Sequence, residues 1–387
     1  MIRANSRSIR VAVAILAVAS CLYLVQASAR FGFSRLLSRY ALISNSTAAA
    51  DAAVALSPSD PEAHRTRATV FTRLKNPAEA ATSLEAATRL RPRQDNLWLE
   101  LGNAREELGD TAGALVALDQ AVRWAPYYGH THWQRGNLLL RMGRSDEAFA
   151  ELRTAASADQ RYFPNLIDLA WRVSGRNLEL AETLIGTHNH EQRSAFISYL
   201  FSAKAFREAF ILWTASELVT GPALFNGGFE DQLILSEPGF GGWVSSTERS
   251  KNRLAIDVAE KFAGARSLQI DLQGDWIPGT PLLSQTVIVE PSTRYRIYFS
   301  VKSKDLVTGG PPLFTVNDAS TNDPLGKSQN FPSGTSDWTQ LSFEFTTPAT
   351  SEAAVIRLQR NNCEPAPCPI FGVLWLDEIS IEQVSRG

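Results

Sequence analysis

The stretch Asn226-Gly227-Gly228-Phe229-Glu230 separates two kinds of sequence. Before it, apolar residues recur at helical spacing in a background of Ala, Leu, Arg and Glu. After it they alternate, and Gly, Pro, Ser and Thr punctuate the chain every few residues. The pattern predicts an α-helical part followed by an antiparallel β-part, with residues 30–220 in the first and 221–387 in the second. A length of 387 residues and an apolar fraction of 44% are enough for two or three domains with proper cores.

In the β-part, strand-like runs occur at 267–271, 283–289, 295–302, 313–317, 339–346, 354–360 and 373–382. Alternation assigns Tyr295, Ile297, Phe299 and Val301 to one face and Arg296, Tyr298, Ser300 and Lys302 to the other. Leu341, Phe343, Phe345, Ile356 and Leu358 should likewise point inward. The last run breaks parity, because Leu374 and Leu376 share one phase and Ile379 and Ile381 the other. Both pairs can be buried only if one extra residue is accommodated near Asp377, which is a β-bulge.

The opening Asn226 to Glu230 and the closing Leu374-Trp375-Leu376-Asp377-Glu378-Ile379-Ser380-Ile381 resemble the two ends of a jelly-roll carbohydrate-binding module. That resemblance implies an antiparallel β-sandwich and a structural Ca²⁺ held by Glu230 and Asp377, hard carboxylate ligands completed by backbone carbonyls. It also implies contact with a polysaccharide. Sugar recognition needs flat aromatic faces beside polar hydrogen-bonding groups. Arg296, Tyr298, Gln340, Arg357, Gln359 and Trp375 have the non-core parity and are the candidates, with Trp243, Trp276 and Trp338 as rival platforms in or near loops. Cys363 and Cys368 flank four residues that include two prolines, a spacing suited to a disulfide clip in an oxidising compartment.

In the helical part, Ala80, Ala114 and Ala148 stand 34 residues apart, as do Leu84, Leu118 and Leu152. This is the tetratricopeptide period. The best unit, 95–128, carries Trp98, Leu101, Gly102, Ala114, Leu118, Ala121 and Pro126 and resembles that repeat family throughout. Gly102 and Ala114 should allow two antiparallel helices to cross closely, and Pro58, Pro92 and Pro126 should stop the second helix of each unit. Looser units are expected at 129–162, 163–187 and 190–220, and residues 41–57 read as the second helix of an incomplete first repeat. The resemblance implies a concave groove for a protein partner, with Asn103, Trp133, Asn137 and Arg141 facing it.

The N-terminus carries Arg3, Arg7 and Arg10 without an acid, and 11–29 carry no charge. Such a run, about 28 Å long as a helix, fits a transmembrane signal anchor. Ala27-Ser28-Ala29 also fits a signal-peptidase site, and Val18-Ala19-Ser20-Cys21 resembles a lipobox. Each fate places residues 30–387 outside the cytoplasm, in a bacterial envelope: inner-membrane anchored facing the periplasm, or secreted into it.

A net charge of −2 offers no global field for nucleic acid. No metalloprotease, nucleophile-elbow, phosphate-loop or dinucleotide motif occurs, and adjacent acids on a strand face opposite ways, so a non-enzyme is expected. Three functions remain open: an adaptor whose repeats hold a protein while the β-domain touches glycan, with polysaccharide assembly or export as its setting; a scaffold whose β-domain is a cap; and, only if the β-face holds two opposed carboxylates, an enzyme acting on glycans.

Overall fold

A computed structural model describes residues 6–187, 189–215, 224–231, 233, 240, 242–245, 252–363 and 368–384. The chain forms two compact units, Met1–Gly186 and Thr187–Gly387.

The first unit is helical. Its helices are α1 (Ser6–Ser44), α2 (Thr47–Leu56), α3 (Pro61–Arg73), α4 (Pro77–Leu90), α5 (Asp95–Glu107), α6 (Thr111–Trp124), α7 (Gly129–Arg141), α8 (Ser145–Ala158), α9 (Phe163–Val173) and α10 (Leu178–Ile185). Boundaries follow local chemistry. Asp60, Asn76 and Asp110 accept backbone N–H bonds as N-caps of α3, α4 and α6, and Pro61 and Pro77 open α3 and α4. Lys75, Gly109 and Gly143, at successive steps of 34, take the left-handed conformation at the turns within three repeats.

The repeat extends to individual hydrogen bonds. The ring nitrogens of His64, Trp98 and His132 lie 2.9, 2.8 and 2.9 Å from the carbonyl oxygens of Pro58, Pro92 and Pro126. One ring per repeat thus satisfies the carbonyl of the proline that follows a stopped helix. Close crossing also repeats. A Cβ on Gly102 would stand 2.8 Å from Leu118 Cγ, and one on Gly136 would stand 2.7 Å from Leu152 Cγ.

Helix α1 departs from the sequence expectation. It crosses the anticipated division at residues 29 and 30 without a break, because nothing between Val11 and Ser44 interrupts a helix apart from Gly32. Its C-terminal part is the first helix of the first repeat, with α2 as the second. Ser34 donates to the carbonyl of Ala53 at 2.8 Å, and Leu37 and Ala41 pack with Ala49, Ala50 and Val70. Residues 10–33 are exposed, and the helix is long and apolar enough to cross a membrane.

The second unit holds α11 (His190–Ser202), α12 (Phe206–Thr214) and ten strands among the described residues: β1 (Val244–Ser245), β2 (Arg253–Asp257), β3 (Ser267–Gln273), β4 (Leu283–Ile288), β5 (Arg294–Thr308), β6 (Pro312–Asp318), β7 (Pro324–Lys327), β8 (Gly334–Thr346), β9 (Ala353–Arg360) and β10 (Ile370–Gln383). They build two antiparallel sheets, sheet I in the order β1-β4-β9-β6-β7 and sheet II in the order β2-β3-β10-β5-β8. The seven anticipated strands are present. β1, β2 and β7 are additions, short edge strands that need little alternation of their own. The core between the sheets holds Ile297, Phe299 and Val301 with Phe314, Val316, Phe343, Phe345, Ile356 and Leu358, the parity read from the sequence.

The bulge is where the broken parity requires it. Against β5, the β10 register slips between Asp377 and Ser380, with Glu378 at φ +50°, and Leu374, Leu376 and Ile379 are all buried. The opening motif closes on this bulge, with Ile379 N–H donating to the Gly227 carbonyl at 2.9 Å. A Cβ on Gly227 would lie 1.9 Å from the Ile379 oxygen, so a side chain there would displace backbone.

By packing, α11 and α12 belong with the sheets, and the compact unit that holds the sandwich starts at Thr187. The reason is aromatic. Phe240 is 1% exposed and its ring centre lies 5.6 Å from Phe201 and 5.1 Å from Phe210, while Trp213 packs edge-on against Phe225 at 4.8 Å. Lys204 Nζ donates to the Ser320 carbonyl at 2.5 Å, and Arg207 pairs with Glu290 at 3.3 Å.

Gly227→Ala is expected to destabilise the second unit by about 3 kcal/mol, the upper end for overpacking against atoms that cannot move aside. Gly102→Ala should change the first unit by about 1 kcal/mol or less, since Leu118 can rotate and alanine gains helix propensity. Urea unfolding followed by far-UV circular dichroism and by tryptophan fluorescence checks both; equal effects would contradict the assignment.

Candidate functional site

The six glycan candidates do not share a surface. Arg296 and Tyr298 (β5), Gln340 (β8) and Trp375 (β10) lie on sheet II, whereas Arg357 and Gln359 (β9) lie on sheet I. The outer faces of two packed sheets point in opposite directions, so equal parity brought together residues that the fold separates.

The outer face of sheet II pairs its charged groups internally, although Ser300 Oγ is buried there without a hydrogen-bond partner, as Thr315 Oγ1 is on sheet I. Arg296 donates from Nε to Glu344 Oε1 at 2.8 Å and from Nη1 to the Tyr298 hydroxyl at 3.2 Å, and Arg294 also pairs with Glu344. These bonds to Tyr298 and Glu344 raise the Arg296 pKa above its ordinary value. Lys302 is held between Glu260 at 2.8 Å and Asp337 at 3.4 Å. Trp375 is 7% exposed and is no platform; its indole N–H donates to Asp257 Oδ2 at 2.9 Å. Burial alone would raise the Asp257 pKa, but the Trp375 indole and the N–H groups of Ala259 and Glu260 bring it below the usual carboxylate range. Of the rival platforms, Trp243 and Trp276 are buried and Trp338 is half-buried against Phe262.

The outer face of sheet I leaves its central arginine without a partner among the described residues, while Asn317 donates to the Asn322 carbonyl at 2.9 Å. One row crosses it, with Ser284 (β4) opposite Arg357 (β9), Arg357 opposite Thr315 (β6), and Thr315 opposite Lys327 (β7). Gln359 and Asn317 flank the row. Arg357 is half-buried and forms no ion pair or hydrogen bond among the described residues, and burial lowers its pKa. Beside it, Thr315 Oγ1 is buried without a hydrogen-bond partner. A desolvated guanidinium next to an orphaned hydroxyl leaves hydrogen bonds for a ligand to make. Nothing in the sequence distinguished Arg357 from Arg296, because pairing with Glu344 depends on strand order.

Glu230 and Asp377 converge on the loop between β2 and β3. Glu230 Oε1 accepts from Ala265 N at 2.7 Å and Arg266 N at 3.3 Å. Asp377 Oδ2 accepts from Phe262 N at 2.8 Å and Ala263 N at 3.0 Å, and its Oδ1 from Glu378 N at 2.8 Å. These oxygens therefore meet peptide N–H groups. The described residues contain no cluster of three His, Cys, Asp or Glu suited to a metal, so a cation here would depend on loop carbonyls beside the two acids.

In the helical unit, Asn103 lines a cavity of about 320 Å³ between α3 and α5, together with Arg65, Thr69, Thr72, Glu100 and Glu107. Arg65 Nη2 pairs with Glu100 at 2.6 Å within it. The other groove candidates are engaged. The Asn137 amide donates to the Trp133 carbonyl at 2.9 Å, Trp133 stacks on Tyr162 at 4.9 Å, and Arg141 pairs with Glu106.

Cys363 and Cys368 are joined by a disulfide, with Cα atoms 5.9 Å apart. Beneath it, Arg360 is 1% exposed and donates to the carbonyls of Trp276 at 2.9 Å and Gly310 at 3.2 Å, and to Cys368 Sγ at 2.7 Å. The disulfide thus covers a buried cation satisfied by loop backbone. Reduction, or replacing both cysteines with alanine, should lower the stability of the second unit by about 2 kcal/mol on the chain-entropy account. A melting temperature indifferent to reductant would refute this contribution.

The comparisons with known proteins match the helical repeats and the sandwich separately. A family described as Carbohydrate binding domain matches residues 221–366, and one described as Tetratricopeptide repeat matches residues 95–128. The chain thus joins tetratricopeptide repeats to a carbohydrate-binding-type domain. Over 162 residues it is 28% identical to Protein FlbA of Caulobacter vibrioides, covering 42% of this chain and 26% of FlbA. The chain spans about a quarter of that relative's length. Similar solved structures include MamA (17% identity, TM-score 0.36, 51% of this chain and 98% of that one) and a CBM4 structure (13%, 0.31, 41% and 98%).

Proposed function

We propose that the protein is an extracytoplasmic adaptor of a bacterial envelope, whose repeats hold a protein partner and whose sandwich binds glycan on the outer face of sheet I. The observation that carries the glycan reading is Arg357, half-buried without a partner among the described residues beside the orphaned Thr315 hydroxyl. A sugar hydroxyl can accept from the guanidinium and donate to Thr315 Oγ1, satisfying both. Anchoring by α1 and an oxidised Cys363–Cys368 pair support residence outside the cytoplasm. Polysaccharide assembly or export is the setting in which a protein-binding and a glycan-binding module on one anchored chain act together. The role is binding, without catalysis.

The test is a glycan array on the full chain, followed by titration of the best glycan. Arg357→Ala should weaken binding roughly ten- to hundredfold, the loss of a charge-assisted hydrogen bond, without lowering stability. Arg296→Ala should leave affinity unchanged. Equal losses for both variants, or binding that survives Arg357→Ala, would place the site elsewhere; no binding to any glycan would favour the scaffold whose β-domain is a cap.

A structural Ca²⁺ at Glu230 and Asp377 belongs to the same proposal, supported by the convergence of both acids on one loop. Binding to the native state alone at 100 times Kd would add roughly 2.7 kcal/mol of stability. The melting temperature of the sandwich should therefore rise in calcium relative to chelator, and Asp377→Ala should abolish the difference. The same melting temperature in both would show that the N–H bonds alone hold these carboxylates.

A further inference from the structure

Helix α1 fixes which edge of the helical unit would face a membrane. As the first helix of the array, α1 leaves the unit from the edge at which α3, α5 and α7 begin. The loops 57–60, 91–94 and 125–128 lie along that edge. A cavity of about 500 Å³ opens there between α1 and the α2–α3 loop. Tyr23, Phe31, Leu56 and Pro58 supply its apolar wall, and Arg30, Arg35, Arg91 and Asp60 its polar lining.

The polar lining is incompletely satisfied. Arg35 pairs with Asp60 Oδ1 at 3.2 Å, but Asp60 Oδ2 is buried without a hydrogen-bond partner. Arg30 has no partner among the described residues, and Arg91 reaches Gln94 at 3.5 Å. The cavity therefore offers cationic donors for a phosphate and one anionic acceptor for an N–H group. Further along the edge, Arg93 and Arg123 lie over the Trp124 ring at 5.7 and 5.4 Å, and Tyr127 is 91% exposed. Trp, Tyr and Arg side chains together suit a membrane–water interface, where amphipathic rings and charged heads both find partners. Asp95, at the start of α5, is an acid on this edge.

We propose that this edge rests on the phospholipid headgroup layer and that the cavity takes a phosphoethanolamine headgroup. Arg30 and Arg91 donate to its phosphate, and its ammonium donates to Asp60 Oδ2. The acyl chains then continue beside Tyr23 and Ala27, along the exposed apolar face of α1. A choline headgroup has no N–H and leaves Asp60 Oδ2 orphaned, so the cavity discriminates between the two lipids.

The proposal rests on the reading of α1 as a membrane span, and the experiment separates the two. The full chain with Cys21→Ser is reconstituted in vesicles of phosphatidylcholine with one third phosphatidylethanolamine, and carrying either Tyr127→Cys or Leu108→Cys is labelled with a membrane-impermeant maleimide. Leu108 is 46% exposed and lies at the opposite edge, at the end of α5. Labelling at position 127 should be at least tenfold slower in vesicles than in detergent, and labelling at 108 unchanged. Mild detergent extraction should leave phosphatidylethanolamine bound in preference to phosphatidylcholine, and Arg30→Gln with Arg91→Gln should release it. A chain that carbonate strips from the vesicles overturns the span and the docking together. A carbonate-resistant chain that labels alike at both positions overturns the docking alone, and equal retention of the two lipids overturns the headgroup assignment.

Discussion

The second unit depends on a backbone-to-backbone contact between its two ends. Gly227 lies so close to Ile379 that no side chain fits between them, and Ile379 is available only because β10 carries an extra residue at Asp377 and Glu378. β10 lies between β3 and β5, in the centre of sheet II. The same bulge turns Asp377 onto the loop after β2, where Glu230 of the opening motif also lands. The two motifs at the ends of the domain therefore make one structural feature. Their glycine, aromatic and acidic residues close the sandwich.

The helical unit is governed by a smaller repeated contact. In three successive repeats a ring nitrogen meets the carbonyl of the proline six residues earlier, whether the ring belongs to His64, Trp98 or His132. What recurs is a planar donor at a fixed distance, which is why histidine can replace tryptophan at a core-edge position. The glycines at 102 and 136 allow the second contact, the close crossing of the two helices within a repeat. With the C-terminal part of α1 itself the first helix of the repeat that precedes these three, the orientation of the array relative to the apolar helix is set by helix geometry and not by a linker.

Charge satisfaction distinguishes the two outer faces of the sandwich. Sheet II carries more charged groups, yet each principal cation has an acid within reach, which leaves a solvated and internally neutral surface. Sheet I carries fewer, and its central arginine has none among the described residues. Keeping a half-buried guanidinium without a partner is unfavourable for the isolated fold, which is the physical basis of the glycan proposal.

The sequence by itself determined the order of the two architectures, the repeat period, the seven principal strands with their inward faces, and the bulge. All of these follow from periodicity and from a few residues with special backbone demands, which are local properties. The clip was legible from spacing alone. Tertiary structure decided the rest. Alternation states that Arg296 and Arg357 both point outward, but only strand order places Glu344 beside the first and an orphaned threonine beside the second. The aromatic content of 190–220 hinted at docking on the sandwich, and packing of Phe210 on Phe240 and of Trp213 on Phe225 provides the contacts. The carboxylates of Glu230 and Asp377 are 147 residues apart in the chain, and the N–H groups they accept lie in a third segment. Partners that far apart in sequence are chosen by the fold, because a side chain carries its chemistry locally while its environment comes from elsewhere in the chain.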